Sequence, residues 1–472
     1  MTVPVRAPAA ESRPAERLDP ALLKTSFVLV LGPILALLDT TIVTVGLDSI
    51  ARDLGGPLGT LQWVSAGYLL AISMVMPLAG WASDRFGART MWMLSIALFT
   101  AGSALCGLAW SAGSLILFRV LQGVGGGLIQ PIGQSIVVRA AGPARLGRVF
   151  GITILPLTFA PVLGPVLGGL IVERSDWRWM FLVNVPLGLL TLVLAARYVP
   201  SDTGRGTAGG RLDVLGLALL SPGLAALVYG FSEVGDDGFG ATRVMVSLTA
   251  GAALVLAYGT HALRRRGSAL IDLRLFARRG FAVATANSFL QGAVLYSSML
   301  LLPLYYQQVK HASALEAGLL LAPQALGTAV ATFFASRLTD RLAPRPIIVT
   351  GIVLTLAGTV AFTQLGSSPA GWILVLSLMV RGAGLGVVMA PGMATIYASV
   401  ERHEVARAAG AVNTVNRVGG SLGTAILVVV LQRSLDAHAP AAAYGHTFWW
   451  ALILSALTLV PAFFYPSLTE NR

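Results

Sequence analysis

Fourteen apolar runs, each near the length a bilayer demands, follow one another between residues 26 and 466. A helix rising 1.5 Å per residue needs about 20 apolar residues to cross roughly 30 Å of hydrocarbon. Lipid offers no partner to an open backbone, so only helices or closed barrels can use such runs. The expected class is an all-α polytopic membrane protein with spans at 26–48, 60–80, 91–110, 113–137, 150–171, 178–199, 213–233, 243–262, 282–306, 315–336, 346–365, 371–399, 410–431 and 446–466. Hydrophobic residues at 55%, charged residues at 11% and a mean hydropathy of +0.76 exclude a water-soluble globule of 472 residues.

Arginine crowds into alternate gaps between the runs. Short loops rich in Lys and Arg stay on the cytoplasmic side. Placing the N-terminus there collects most of the 33 basic residues on that face and leaves Arg52, Arg174, Arg178, Arg243, Lys310 and Arg433 on the other. With an even number of spans, both termini are expected in the cytoplasm and the protein in the cell membrane. Topology accounts for the net charge of +12, so no nucleic-acid partner is expected. The single cysteine, Cys106, lies inside a run and permits no intramolecular disulfide. The five histidines are scattered, no metal site is expected, and no nucleotide loop or catalytic cluster points to an enzyme.

An internal repeat divides the chain. Gly80-Trp-Ala-Ser-Asp84-Arg85-Phe-Gly87-Ala-Arg89 after the second run recurs as Ser336-Arg-Leu-Thr-Asp340-Arg341-Leu-Ala343-Pro-Arg345 after the tenth. Gly123, Gly125, Gly127 and Gly133 in the fourth run match Gly382, Gly384, Gly386 and Gly392 in the twelfth. Two matches at nearly one offset imply two homologous six-helix bundles, 25–200 and 282–472, separated by two inserted helices within 201–281. Residues 1–24 read as a disordered cytoplasmic tail.

The first loop segment resembles the signature of the major facilitator superfamily. Leu38-Asp39-Thr-Thr-Ile42-Val43, Arg119-x-x-Gln122-Gly123-x-Gly125, Gly164-Pro165-x-x-Gly168-Gly169, Asp176-Trp177-Arg178-Trp179-x-Phe181-x-x-Asn184-x-Pro186-x-Gly188 and Leu302-Pro303-Leu-Tyr305-Tyr-Gln307 narrow the resemblance to its fourteen-span drug:proton antiporters. That resemblance implies a major facilitator fold exporting amphipathic small molecules, drugs or antibiotics, across the cytoplasmic membrane by alternating access. Protons would be the coupling ion, with no other cofactor, and the chain would act as a monomer. A dedicated exporter of one endogenous metabolite is the alternative within transport, and a non-transporting membrane sensor or structural protein the alternative outside it.

Asp39 is the one carboxylate well inside an apolar run. An ionised carboxylate is expensive at that depth, so it suits a group that is neutral when dry and charged when opened to water or paired with a cation. A structural Asp bonded to backbone or to threonine hydroxyls is the plainer reading. Asp39 and Arg119 lie about nine and six residues from the same face, which at 1.5 Å per residue matches their depths within roughly 5 Å. They are expected to meet as a proton-coupling pair, unless Arg119 merely bonds carbonyls and staples helices.

Arg381 and Arg417 also fall inside runs, either as structural relics of the duplication or as contacts for an anionic substrate group. Gly80, Asp84, Arg85, Gly87 and Arg89, with Asp340 and Arg341, are expected to latch the cytoplasmic ends as a gate, or else only to set topology. Gly164, Pro165, Gly168 and Gly169 make the fifth run slim and bendable. Gln122, Tyr68, Phe159, Gln291, Tyr296 and Tyr305 are candidates to line an adaptable substrate cavity, though each also suits ordinary packing.

Overall fold

A computed structural model describes residues 19–55, 58–142, 145–201, 211–265, 269–339, 342–367 and 369–465. Among them there is no β-strand, and thirteen helical segments are long and apolar enough to cross a membrane. The fourteenth, span 5, is broken into Leu146–Leu157 and Ala160–Arg174. The cause is local: Pro161 has no N–H for the Leu157 carbonyl, so the ladder lapses at Thr158 and Phe159.

Span 1 begins earlier than expected. Pro20 opens the helix Pro20–Leu54, and the Asp19 side chain caps it by accepting from the Ala21 amide at 3.0 Å. Residues 20–24 are thus helical and not tail, because a capping Asp followed by proline at the first helical position is a strong start signal. Residues 1–18 lie outside the described residues.

Spans 1 to 6 pack on one another, as do spans 9 to 14. The glycine repeat explains how. In span 4 (Ala112–Ala141), a Cβ on Gly123 or Gly127 would strike the backbone of span 2 at Tyr68 or Ile72, and one on Gly125 that of span 3 at Ser95 and Phe99. In span 12 (Gly371–Ala398), Gly382 and Gly386 press on span 10 at Gln324 and Thr328, and Gly384 presses on span 11 at Gly351 and Thr355. The two bundles therefore use the same helix contacts at matching positions, as bare backbone permits.

The largest apolar cluster joins both bundles at the end of the molecule that bears Asp84. It runs from Val28 and Ile136 through Phe150 to Tyr397 and Ala408, with Phe150 and Tyr397 stacked at 5.7 Å. Toward the other end, the clusters around Phe181 and around Tyr305 belong to single bundles. The molecule is sealed between bundles at the Asp84 end.

The inserted helices are Val214–Asp237 (span 7) and Thr242–Arg264 (span 8). Span 7 lies against span 2 and span 13, closer to the bundles than a purely peripheral insert: Ser221 donates to the Met74 carbonyl at 2.5 Å, Tyr229 stacks on Trp63 at 5.6 Å, and Gln432 donates to the Gly235 carbonyl. Asp213 ties the pair together. It caps span 7 through the Gly216 amide (3.0 Å) and holds the end of span 8 through His261 Nε2 (2.9 Å) and Arg265 (2.5 Å). Burial alone would raise its carboxyl, but the His261 and Gly216 hydrogen bonds and the Arg265 charge hold it below the ordinary carboxylate value. Asp213→Asn keeps the cap and loses the charge pairing, so thermal stability in nanodiscs should fall by about 1 kcal/mol at pH 7. A depressed carboxyl stabilises above its unfolded value and stops doing so as pH falls through its folded one. The gap between variant and wild type should therefore close below about pH 4. A gap that is unchanged at pH 3.5 would count against this account.

Candidate functional site

The interior of the first bundle holds a closed polar network built from four spans. Asp39 of span 1, Ser103 of span 3 (Ala88–Gly107), Arg119 and Gln122 of span 4, and Asn184 at the start of Asn184–Tyr198 in span 6 are all at most 1% exposed. Arg119 and Gln122 sit one turn apart on the same helix face. Gly102 lets span 3 approach the Gln122 backbone closely enough to complete the ring.

Every contact to Asp39 is a donor. Arg119 donates to Oδ2 at 2.5 Å, while Gln122 and Asn184 donate to Oδ1 at 2.8 and 3.0 Å. The same Gln122 accepts from Arg119 at 2.8 Å, and both amides donate to the Ser103 hydroxyl at 3.1 Å. Ser103 passes its own proton to the Phe181 carbonyl at 2.9 Å. Arg119 also bonds the Val64 carbonyl at 3.0 Å and lies over the Tyr68 ring at 4.0 Å, which partly replaces its lost hydration. A charge pair removed from water survives only when its remaining lone pairs and protons are satisfied, and here both Asp39 oxygens, Arg119 Nε and one Arg119 Nη are.

Matched depth thus does bring Asp39 and Arg119 into contact. Gln122 and Tyr68, expected along a substrate cavity, are instead wholly buried as supports of that pair. Tyr305 is likewise enclosed, packed on Tyr306 and Tyr444. Phe159, Gln291, Tyr296 and Arg417 are half-buried, with Arg417 over the Tyr296 ring at 5.5 Å. Ser103 was not singled out, because a lone serine in an apolar run usually bonds its own helix, as Ser95 does to the Met91 carbonyl. Asn184 stood within a motif but had no assigned partner.

Span 5 presses on the turn that carries Asp39. A Cβ on Gly164 would overlap Thr41, and one on Gly168 would crowd the Ile42 carbonyl, whereas Gly169 meets nothing and is not needed for this contact. Pro165 lies between them in the same helix. At the Asp53 end, Trp177 and Arg178 both donate to Asp53 Oδ2 at 2.9 Å, and these bonds hold its carboxyl below the ordinary value. The Asp176-Trp177-Arg178 segment therefore anchors the end of span 1 to span 6.

The acidic member of the loop signature is Asp84. It faces Arg139 at the end of span 4 (3.5 Å) and Arg407 at the start of span 13 (3.4 Å), the second across the bundle interface. Arg85 is exposed, and Arg89 donates to the Ala196 carbonyl of span 6 at 2.6 Å. Gly80 is bare because Arg407 backbone lies against it, and Gly87 turns the chain between spans 2 and 3 at φ 90°, a conformation that disfavours side chains. Beside this latch, Gln134 accepts from both Tyr397 (3.0 Å) and Asn413 (2.7 Å) of the opposite bundle. Asp340 and Arg341 lie outside the described residues. Among the described residues, no group of His, Cys, Asp or Glu is arranged to hold a metal.

The family model described as Major Facilitator Superfamily matches residues 29–424. The chain belongs to the major facilitator superfamily. Among its relatives is the multidrug resistance protein B homolog of Mycobacterium tuberculosis, 40% identical over 88% of this chain and 77% of that protein. Another is the puromycin resistance protein pur8 of Streptomyces alboniger, 33% identical over 92% and 86%. Among solved structures, a double-tryptophan mutant of XylE shares the fold at a TM-score of 0.67, with 16% identity over 94% of this chain and 96% of that one. This major facilitator protein is accordingly a multi-pass membrane transporter of small molecules, and its relatives include drug and antibiotic resistance proteins.

Proposed function

We propose that this transporter exports amphipathic small molecules across the cytoplasmic membrane in exchange for protons, by alternating access, with both termini in the cytoplasm. The observation that carries the reading is the Asp39–Arg119 pair, a carboxylate and its cation enclosed at mid-membrane where only function justifies the cost. The names of the resistance relatives support the substrate class.

With the termini inside, the Asp84 end is cytoplasmic and the arrangement described is closed to the cytoplasm. A proton delivered from outside to Asp39 cancels the charge that Arg119 pairs with, which loosens span 4 from span 1. Span 5, seated on Thr41 and Ile42, transmits that change to the bundle interface, since it also meets spans 10 and 12. Opening to the cytoplasm lets the proton leave and the pair re-form. In proteoliposomes, an imposed proton gradient should drive accumulation of a fluorescent amphiphile such as a bis-benzimide dye, and nigericin should abolish it. Accumulation indifferent to the ionophore would sink proton coupling.

A further inference from the structure

The packing equivalence of the bundles allows them to be read against each other residue by residue. Span 4 maps on span 12 at an offset of 259, so Gln122 corresponds to Arg381; span 2 maps on span 10 at 256, so Tyr68 corresponds to Gln324. In the first bundle Gln122 donates to Asp39 of span 1. In the second, Arg381 donates to Ser298 of span 9 (Arg279–Gln308). The contact between spans 1 and 4 thus joins a carboxylate to an amide, and that between spans 9 and 12 joins a serine to an arginine.

Arg381 is 1% exposed, donates to Gln324 Oε1 at 2.7 Å and to the Ser298 hydroxyl, and leaves its Nε without a partner. No carboxylate pairs with it among the described residues. The other fully buried guanidinium among the described residues, Arg119, is matched by a carboxylate. Ten residues into Gly371–Ala398, Arg381 lies about 15 Å from the helix end, well below lipid headgroups. Its charge is left for a molecule that enters the protein to match.

We propose that Arg381, Ser298 and Gln324 form an anion-binding subsite that takes the carboxylate of an amphipathic substrate, so that the cargo supplies to Arg381 what Asp39 supplies to Arg119. Guanidinium, hydroxyl and amide groups meet there with no carboxylate among them, and a guanidinium suits a carboxylate's two oxygens. The inference rests on the export reading and narrows its substrates to those bearing a negative group.

The test uses the full chain in nanodiscs and three fluorescent probes with one apolar body: pyrenebutyrate, pyrenebutanol and pyrenebutyl-trimethylammonium. Wild type should bind pyrenebutyrate at least tenfold more tightly than the alcohol, with the cation weakest. Arg381→Gln should erase that preference, and Arg381→Lys should keep part of it. Should Arg381→Gln not assemble, Ser298→Asp serves instead: it restores the internal counter-charge, so it should raise the melting temperature and also erase the preference. Equal binding of the three probes by wild type would overturn the proposal. So would an Arg381-dependent stabilisation by chloride without preference for pyrenebutyrate, which marks an inorganic-ion site. Gradient-driven export of pyrenebutanol without anion preference would sink this inference alone, while no gradient-driven export of any probe would sink the export reading.

Discussion

Asp39→Asn is expected to reduce gradient-driven export to the level of protein-free vesicles while the protein still assembles. The amide fits the same space and its oxygen still accepts from Arg119, but it cannot take up and release a proton. Breaking a buried ion pair outright typically costs about 3–5 kcal/mol; the amide oxygen keeps the Arg119 bond, but the amide NH2 then faces the Gln122 and Asn184 donors, so the loss should fall within that range. The separating measurement is the pH dependence. Downhill exchange of substrate should persist in the variant and become flat in pH, whereas wild type and Asp39→Glu should retain a pH response. Uphill export by Asp39→Asn with its pH profile intact would remove Asp39 from the coupling step.

The second large effect belongs to the Asp84 latch. Of its two half-buried ion pairs, the one with Arg407 crosses between the bundles and is worth up to about 1 kcal/mol, so its loss should shift the ratio of open to closed states at this end by up to about 5-fold. Ser83, 2% exposed in the sealed state, reports the opening when replaced by cysteine in a Cys106→Ala background. Asp84→Asn and Arg407→Gln should each speed maleimide labelling, and the double variant should be no faster than the worse single, because both remove one contact. Additive rates would show that Asp84 and Arg407 act independently.

The fourteen spans were legible because hydrocarbon thickness sets their length and leaves little freedom in their number. Asp39 and Arg119 were legible for a related reason: charge at mid-membrane is costly, and two such residues at one depth can relieve each other. The rest of the network was not. Ser103 has no charge to betray it, and its bond to two amides depends on three helices converging. The partners of Asp84 were hidden as well, since Arg139 and Arg407 looked like any other basic loop residues until the bundles were set side by side. Arg381 was conspicuous in the sequence, but its lack of a counter-charge became meaningful only when the fold set Ser298 and Gln324, not a carboxylate, against it.

Span 7 has a consequence for lipid. It touches both bundles along the seam between spans 2 and 13, through Ser221 on one and Gln432 on the other, whereas spans 5 and 10 meet along the opposite seam directly. The transporter therefore has a front and a back within the plane of the membrane. In the proposed alternating access, rocking of the bundles would shear span 7 against at least one neighbour. A cargo already dissolved in a leaflet therefore meets two unequal flanks, one covered by span 7 and one closed by spans 5 and 10 alone.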